Sequence, residues 1–390
     1  MDTTIVIKNA TILLENREEI NGSILLKDGK INTIYTEKNQ LGNVLENARI
    51  IDATNLTAIP GFIDSHIHGA NGADTMDATE EALDGMASIL PKEGTTSFLA
   101  TTITQAPEQI DKALENVAIY KNKPGHAELI GVHLEGPFVE KTKAGAQPLK
   151  YIVEPDVDQF MKWQDISGNT IRTITMAPEH DVDGTFIRTL NEQGVTVSAG
   201  HTDVGFEGMK KAVAQGVTQL THLCNAMNGI HHRDIGAVGA AFQLEALQAE
   251  LIADGIHVAP EMMQLIYNNV GCDRLILITD AMRAKGLPAG DYELGGQPVK
   301  VNEDRAVLED GTLAGSILKM DDAARRMLGL DGVDLHDVVN MASINPAKQI
   351  GVYDKKGSIT TGKDADILLV DDDLNIKYTI CRGEIAMEVE

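Results

Sequence analysis

Eight short apolar runs recur through the middle of the chain, near 61–66, 96–101, 128–133, 172–176, 195–199, 218–222, 250–253 and 274–279. Stretches with helical spacing lie between several of them. Residues 79–90 open on Thr79 as a candidate N-cap, carry glutamates in the first turn, space their apolar residues three to four apart and stop before Pro91. Residues 260–270 and 319–328 have the same character. Strand runs alternating with helices predict a parallel α/β structure, and eight strands is the number that closes a (β/α)8 TIM-like barrel. The chain has 390 residues. That length suits one barrel of roughly 250–300 residues beside a small satellite domain.

The two ends of the chain read differently. TIVIKNATILL, SILLKDG and KINTIYT at the start, and ADILLVDDD, IKYTICRG and EIAMEVE at the end, are short β-type runs separated by turn residues. Chain termini often lie close in space, so these segments predict one small β domain of residues 1–58 with 355–390, leaving 59–354 to the barrel. Residues 230–241, rich in Gly, His and Ala, read as a long functional loop after the sixth run.

The net charge is −25. A field of that sign argues against nucleic acid and against anionic membranes as partners. An anionic substrate would need a local cationic pocket to overcome it. The three cysteines, Cys224, Cys272 and Cys381, are scattered and form no CxxC pair, which points to a reducing compartment. The first residues lack a basic segment followed by a long apolar one. No window holds 18 consecutive apolar residues. The expectation is a cytoplasmic protein.

Six of the eight runs end in histidines or carboxylates: His66 and His68, His133 and Glu135, His201, His222, Asp254 and His257, and Asp280. In a barrel, groups past the C-terminal strand ends meet at one mouth. Imidazoles and carboxylates gathered there suit a borderline divalent cation such as Zn²⁺ or Fe²⁺. His66 and His68 stand at i and i+2, so a strand would place them on one face. Glu135 is a carboxylate in an apolar strand end and needs a partner, either a metal or a lysine such as Lys141. His201 and His222 fit metal ligands or core histidines bonded to backbone. Asp280, after LILIT, fits a general base or a helix N-cap. Arg233, beside His231 and His232, fits a phosphate site or an exposed basic loop.

PGFIDSHIHG, GVHLEGPF, SAGHTD, THLCNAMNGIHHR, ADGIHV, LITDAM and GTLAGS follow one another from about residue 60 to 316, with NPAK later. In that order they resemble the N-acetylglucosamine-6-phosphate deacetylases of the amidohydrolase superfamily, over essentially the whole chain. The resemblance implies a (β/α)8 barrel with a small β-sandwich built from both termini. It implies hydrolysis of N-acetylglucosamine 6-phosphate to glucosamine 6-phosphate and acetate, with Glu135, His201 and His222 holding the principal metal and Asp280 as acid/base. His66 and His68 match a pair that holds a second ion, with Glu135 as the bridge, so one or two ions of zinc or iron are implied. Ala146, Gln147, Asn225, Ala226, His232, Arg233, His257 and Leu313 match substrate-binding positions. The family is typically a homodimer in which part of the phosphate loop serves the neighbouring subunit. In one departure, Gln147 stands where some members carry a histidine near the substrate carbonyl. Two competing readings are a cyclic-amide hydrolase, which usually uses a carboxylated lysine bridge, and a catalytically silent sugar-phosphate sensor.

Overall fold

In the computed structural model, which describes residues 4–36 and 48–389, eight parallel strands stand side by side in chain order. They are Phe62–Ile67, Thr95–Thr102, Glu128–Glu135, Ile171–Met176, Thr196–Ala199, Gln219–Leu220, Gln248–Ile252 and Leu275–Ile278. The first strand meets the chain just past the end of the eighth. Asp280 N donates to His66 O at 2.8 Å and Thr279 Oγ1 donates to Asp64 Oδ2 at 2.5 Å, which nearly closes the ring. Every residue of the first, second and eighth strands is buried, as expected of a parallel sheet covered on both faces.

The covering helices follow local rules. In Glu80–Ile89, Thr79 Oγ1 accepts the Ala82 amide at 3.2 Å, and Ala82, Leu83, Met86 and Ala87 turn inward. Pro260–Val270 begins with its proline, whose missing N–H costs nothing there, and ends at Gly271 with φ +81°. Met320–Leu328 packs against the eighth strand. No helix among the described residues is long and apolar enough to cross a membrane.

The terminal segments form one second sheet. Thr57–Pro60 pairs parallel with Ile5–Leu13 and antiparallel with Ile367–Val370, so both chain ends share one ladder. Ile5, Ile7, Ile24, Leu26, Ile367 and Leu369 form its core. Residues 1–3, 37–47 and 390 of the expected small β domain lie outside the described residues. Buried Lys356 ties this sheet to the barrel, with Nζ 2.6 Å from Asp366 and 2.6 Å from Glu128 at the start of the third barrel strand.

Two features differ from the sequence reading. The segment 230–241 is not loop throughout, because Gly236–Gln243 forms a helix. Its glycines and alanines carry little intrinsic helical signal, but Gly236–Ala241 is wholly buried, and the Asp234 carboxylate accepts the Gly236 amide at 2.9 Å. Packing made this helix. The second is an antiparallel insert after the eighth strand, Gly290–Leu294, Gln297–Val301 and Ala306–Val307. It packs Leu294, Val299 and Val301 against Ile103, Met282 and Ala284, and Gln297 Nε2 donates to Ala146 O at 2.6 Å. The insert thereby walls one side of the barrel mouth.

Lys285 is buried in the chain just past Asp280 and pairs with buried Glu93. Removing one partner of such a pair leaves an uncompensated charge, which typically costs roughly 3–5 kcal/mol. Lys285→Met is expected to destabilise the chain by about that much in chemical denaturation, and Lys285→Met with Glu93→Leu to recover most of the loss. Equal losses in the single and double variants would contradict this.

Candidate active site

The six polar groups read from the strand ends meet at one rim. Glu135 is the last residue of the third strand, His66 lies in the first with His68 just beyond, His201 and His222 follow the fifth and sixth, and Asp280 follows the eighth. Their donor atoms form two groups, Glu135 with His201 and His222, and His66 with His68 and Asp280; all six residues are buried.

Glu135 sits between the groups. Its Oε1 lies 3.3 Å from His201 Nε2, 3.3 Å from His222 Nε2 and 3.5 Å from His66 Nε2, while its Oε2 lies 3.3 Å from His68 Nε2. Lys141 is not one of its partners. Asp280 caps no helix; its Oδ1 stands 3.2 Å from His68 Nε2 and 3.5 Å from His66 Nε2.

The spacing and chemistry of these atoms fit a divalent cation. Ligand atoms about 2.0–2.1 Å from a tetrahedral ion stand about 3.3 Å apart. Here the closest separations, including 3.1 Å between the Nε2 atoms of His201 and His222, run from 3.1 to 3.5 Å. His66 Nε2 is buried and hydrogen-bonds to nothing, so a nitrogen lone pair is left aimed into the cluster. The donor set of imidazoles and carboxylates suits Zn²⁺ or Fe²⁺.

Electrostatics agree. Burial would push both carboxyls up, yet the surrounding imidazoles hold Glu135 well below its ordinary range and Asp280 down to about 2. Burial would likewise lower the histidines, but Glu250, Asp280 and Glu135 hold His66 up to about 9, and Asp280 with Glu135 hold His68 well above its ordinary value. Without a cation the site gathers protons in its place.

Local backbone sets these side chains at an unusual angle. His201, His222 and Asp280 adopt φ of +47°, +32° and +48°, the left-handed region that non-glycine residues occupy at a cost of about 1–3 kcal/mol each. Surrounding bonds hold them there: Ser316 N donates to Asp280 O at 2.7 Å, and Glu140 N to His201 O at 2.8 Å. After Glu135 the chain turns at Gly136, with φ +72°, where a Cβ would lie 2.1 Å from Thr104 Oγ1. Only glycine fits that turn.

A cavity of about 320 Å³ opens above the cluster. His68, Glu135, His201, His222 and Asp280 line it, together with the predicted Ala146, Gln147, Asn225, Ala226, His257 and Leu313. Gln147 donates from Nε2 to Glu135 Oε2 at 2.7 Å and accepts the Thr104 amide at 2.9 Å, so its amide braces the carboxylate. His257 is oriented by Asp254, 2.6 Å from Nδ1. His232 and Arg233 are not brought to this cavity. They are exposed, 2.7 Å from each other, and line a separate surface depression with Phe206 and Asp234.

Several supporting contacts escaped the sequence reading, including the role of His133, which was read only as a strand-end histidine. Glu250 accepts from His66 Nδ1 at 2.9 Å. Asp64 accepts the His66 and Thr279 amides, each at 3.3 Å. His133 bonds Thr175 Oγ1 at 2.7 Å. The backbone carbonyl of Lys143 lies 2.9 Å from His201 Nδ1. Glu250 carried the same signal as Glu135, a carboxylate inside an apolar run.

A near-closed parallel barrel with imidazoles and carboxylates converging at its C-terminal mouth defines a hydrolase of the metal-dependent amidohydrolase class, and the chain belongs to the amidohydrolase family, whose profile matches residues 57–386. Within that family it is similar to N-acetylglucosamine-6-phosphate deacetylases. The Bacillus subtilis (strain 168) enzyme of that name is 47% identical over 99% of this chain and 98% of its own. The crystal structure of the Thermotoga maritima enzyme of the same name superposes with a TM-score of 0.88 at 32% identity, covering 99% of this chain and 100% of that one. An Escherichia coli O157:H7 relative, 36% identical over 84% of this chain and 87% of its own, is named N-acetylgalactosamine-6-phosphate deacetylase.

Replacing Glu135 tests whether the cluster binds metal. Loss of a residue that merely supports a ligand costs roughly 10–100-fold in metal affinity. Glu135→Ala, which removes the carboxylate that lies between the two groups, is expected to exceed that and to leave purified protein nearly free of transition metal by elemental analysis. A variant with wild-type metal content would show that the carboxylate is not a ligand.

Proposed function

We propose that this protein hydrolyses the acetamide of N-acetylglucosamine 6-phosphate, releasing acetate and glucosamine 6-phosphate. The observation that carries the proposal is the gathering of Glu135, His201, His222, His66, His68 and Asp280 in one buried cluster under a sugar-sized cavity. The names of its full-length relatives support the substrate class.

In this reading Glu135, His201 and His222 hold the principal cation, zinc or iron. His66 and His68 hold a second, with Glu135 between the two. When bound, such a cation supplies Lewis acidity, lowering the pKa of water from 15.7 toward roughly 7 and polarising a carbonyl. Burial would raise the Asp280 carboxyl, but the imidazoles of His66 and His68 hold it down to about 2, toward the ionised form a proton acceptor needs. It takes the proton of the attacking water and returns it to the amine as the C–N bond breaks. Gln147 keeps the Glu135 carboxylate in place and presents an amide at the edge of the reacting group. His257, oriented by Asp254, faces the sugar. Backbone at Asn225 and Ala226 contacts the phosphate. His232 and Arg233 complete that contact from a second subunit, because within their own chain they stand apart from the cavity. The protein is then a homodimer. Its unpaired cysteines, Cys224, Cys272 and Cys381, suit a reducing cytoplasm.

Acetate release compared between N-acetylglucosamine 6-phosphate and the unphosphorylated sugar tests the substrate, with N-acetylgalactosamine 6-phosphate as the epimer control. A kcat/KM at least roughly 100-fold lower without the phosphate is expected, since a charged group built to hold phosphate loses its partner. Comparable rates on both would refute the assignment. Asp280→Asn is expected to keep its metal while losing roughly 10²–10⁴-fold in kcat, the usual worth of a general base. If that variant turns over at close to the wild-type rate, another group is the base.

A further inference from the structure

Glu250 lies outside both ligand groups, in a third cluster with His66 and His133, yet it touches a member of each. It is fully buried in the seventh barrel strand. Three donors converge on it. Gln219 Nε2 donates to Oε1 at 2.8 Å, while His66 Nδ1 at 2.9 Å and the backbone amide of His222 at 3.3 Å both meet Oε2. Among the described residues no lysine or arginine is its partner.

We infer that Glu250 is a positioning residue that makes His66 a metal ligand and holds His222 in register with it. The inference rests on the metal reading above. A neutral imidazole carries one N–H, and an ionised carboxylate only accepts. When His66 holds a metal it is neutral, and facing Glu250 it then keeps its one proton on Nδ1. Its Nε2 is therefore bare, and that atom is the one that points without a partner toward Glu135 and Asp280, 3.5 Å from each. The same carboxylate oxygen anchors the amide of His222, whose φ of +32° needs external support. One oxygen thus fixes a member of each group. His201 is oriented separately, through the Lys143 carbonyl, and is independent of Glu250.

The role is distinguishable from simple core filling. Glu250→Gln keeps the volume but puts an amide where an acceptor-only group stood, which frees His66 to take the other tautomer. Zinc affinity measured by chelator competition is expected to fall roughly 10–100-fold. The metal-free variant should melt close to metal-free wild type. Unchanged zinc affinity in Glu250→Gln, with the wild type binding zinc, overturns the positioning role and leaves the metal reading intact. A wild-type chain that holds no zinc and releases no acetate overturns both. Nitrogen NMR of ¹⁵N-histidine-labelled, zinc-loaded wild type gives a readout that does not depend on the Glu250 variant folding. His66, assigned by the loss of its signals in His66→Gln, is expected to show a protonated Nδ1 and an unprotonated Nε2. The reverse tautomer overturns the proposal.

Discussion

A buried carboxylate ringed by imidazole nitrogens organises this molecule. Glu135 has four Nε2 atoms within 3.5 Å of its oxygens and, among the described residues, no lysine or arginine paired with it. An uncompensated charge in that position is among the costliest things a barrel can bury. Either protons or a cation must balance it, and the separations between its neighbours match those around a small divalent ion. The remaining polar order of the mouth follows from that need. Gln147 and the Lys143 carbonyl brace the groups nearest the charge.

Site and fold share the same bonds. The barrel is drawn toward closure by Asp280 N on His66 O and by Thr279 on Asp64, contacts made by the functional residues or their immediate neighbours. His201, His222 and Asp280 sit in the left-handed region directly after apolar strands. Such strain persists only where the surroundings over-determine the conformation. The strands supply that rigidity, while the antiparallel insert and the loop after Glu135 wall the cavity.

Much of this was legible in the sequence, for identifiable reasons. Barrel strands buried on both faces read as continuous apolar runs, and all eight were recognisable by that character. Thr79 announced its helix because an N-cap is a local bond. His66 and His68 were legible from their spacing. What escaped depends on distant partners. Gly236–Gln243 looked like loop because its helicity comes from burial, not propensity. The insert at 290–307 carries the chain's apolar residues only at intervals, and its partner surface at Ile103 is nearly 200 residues away in the chain, as the Gln105–Gly295 separation of 190 illustrates. Glu250 carried the mark of a carboxylate inside an apolar run, but its partners His66, Gln219 and His222 lie on or after other strands, so its role could not be read from its neighbours in sequence. His232 and Arg233 stand outside the cavity of their own chain, a placement that no reading of motif order along one chain supplies.

Anomalous diffraction from crystals of protein purified without added metal, recorded on both sides of the zinc and iron absorption edges, tests the central claim most directly. The account predicts a peak bounded by Glu135, His201 and His222, and a second bounded by His66, His68 and Glu135. Crystals with no anomalous density among these residues, grown from protein that still releases acetate, would contradict it.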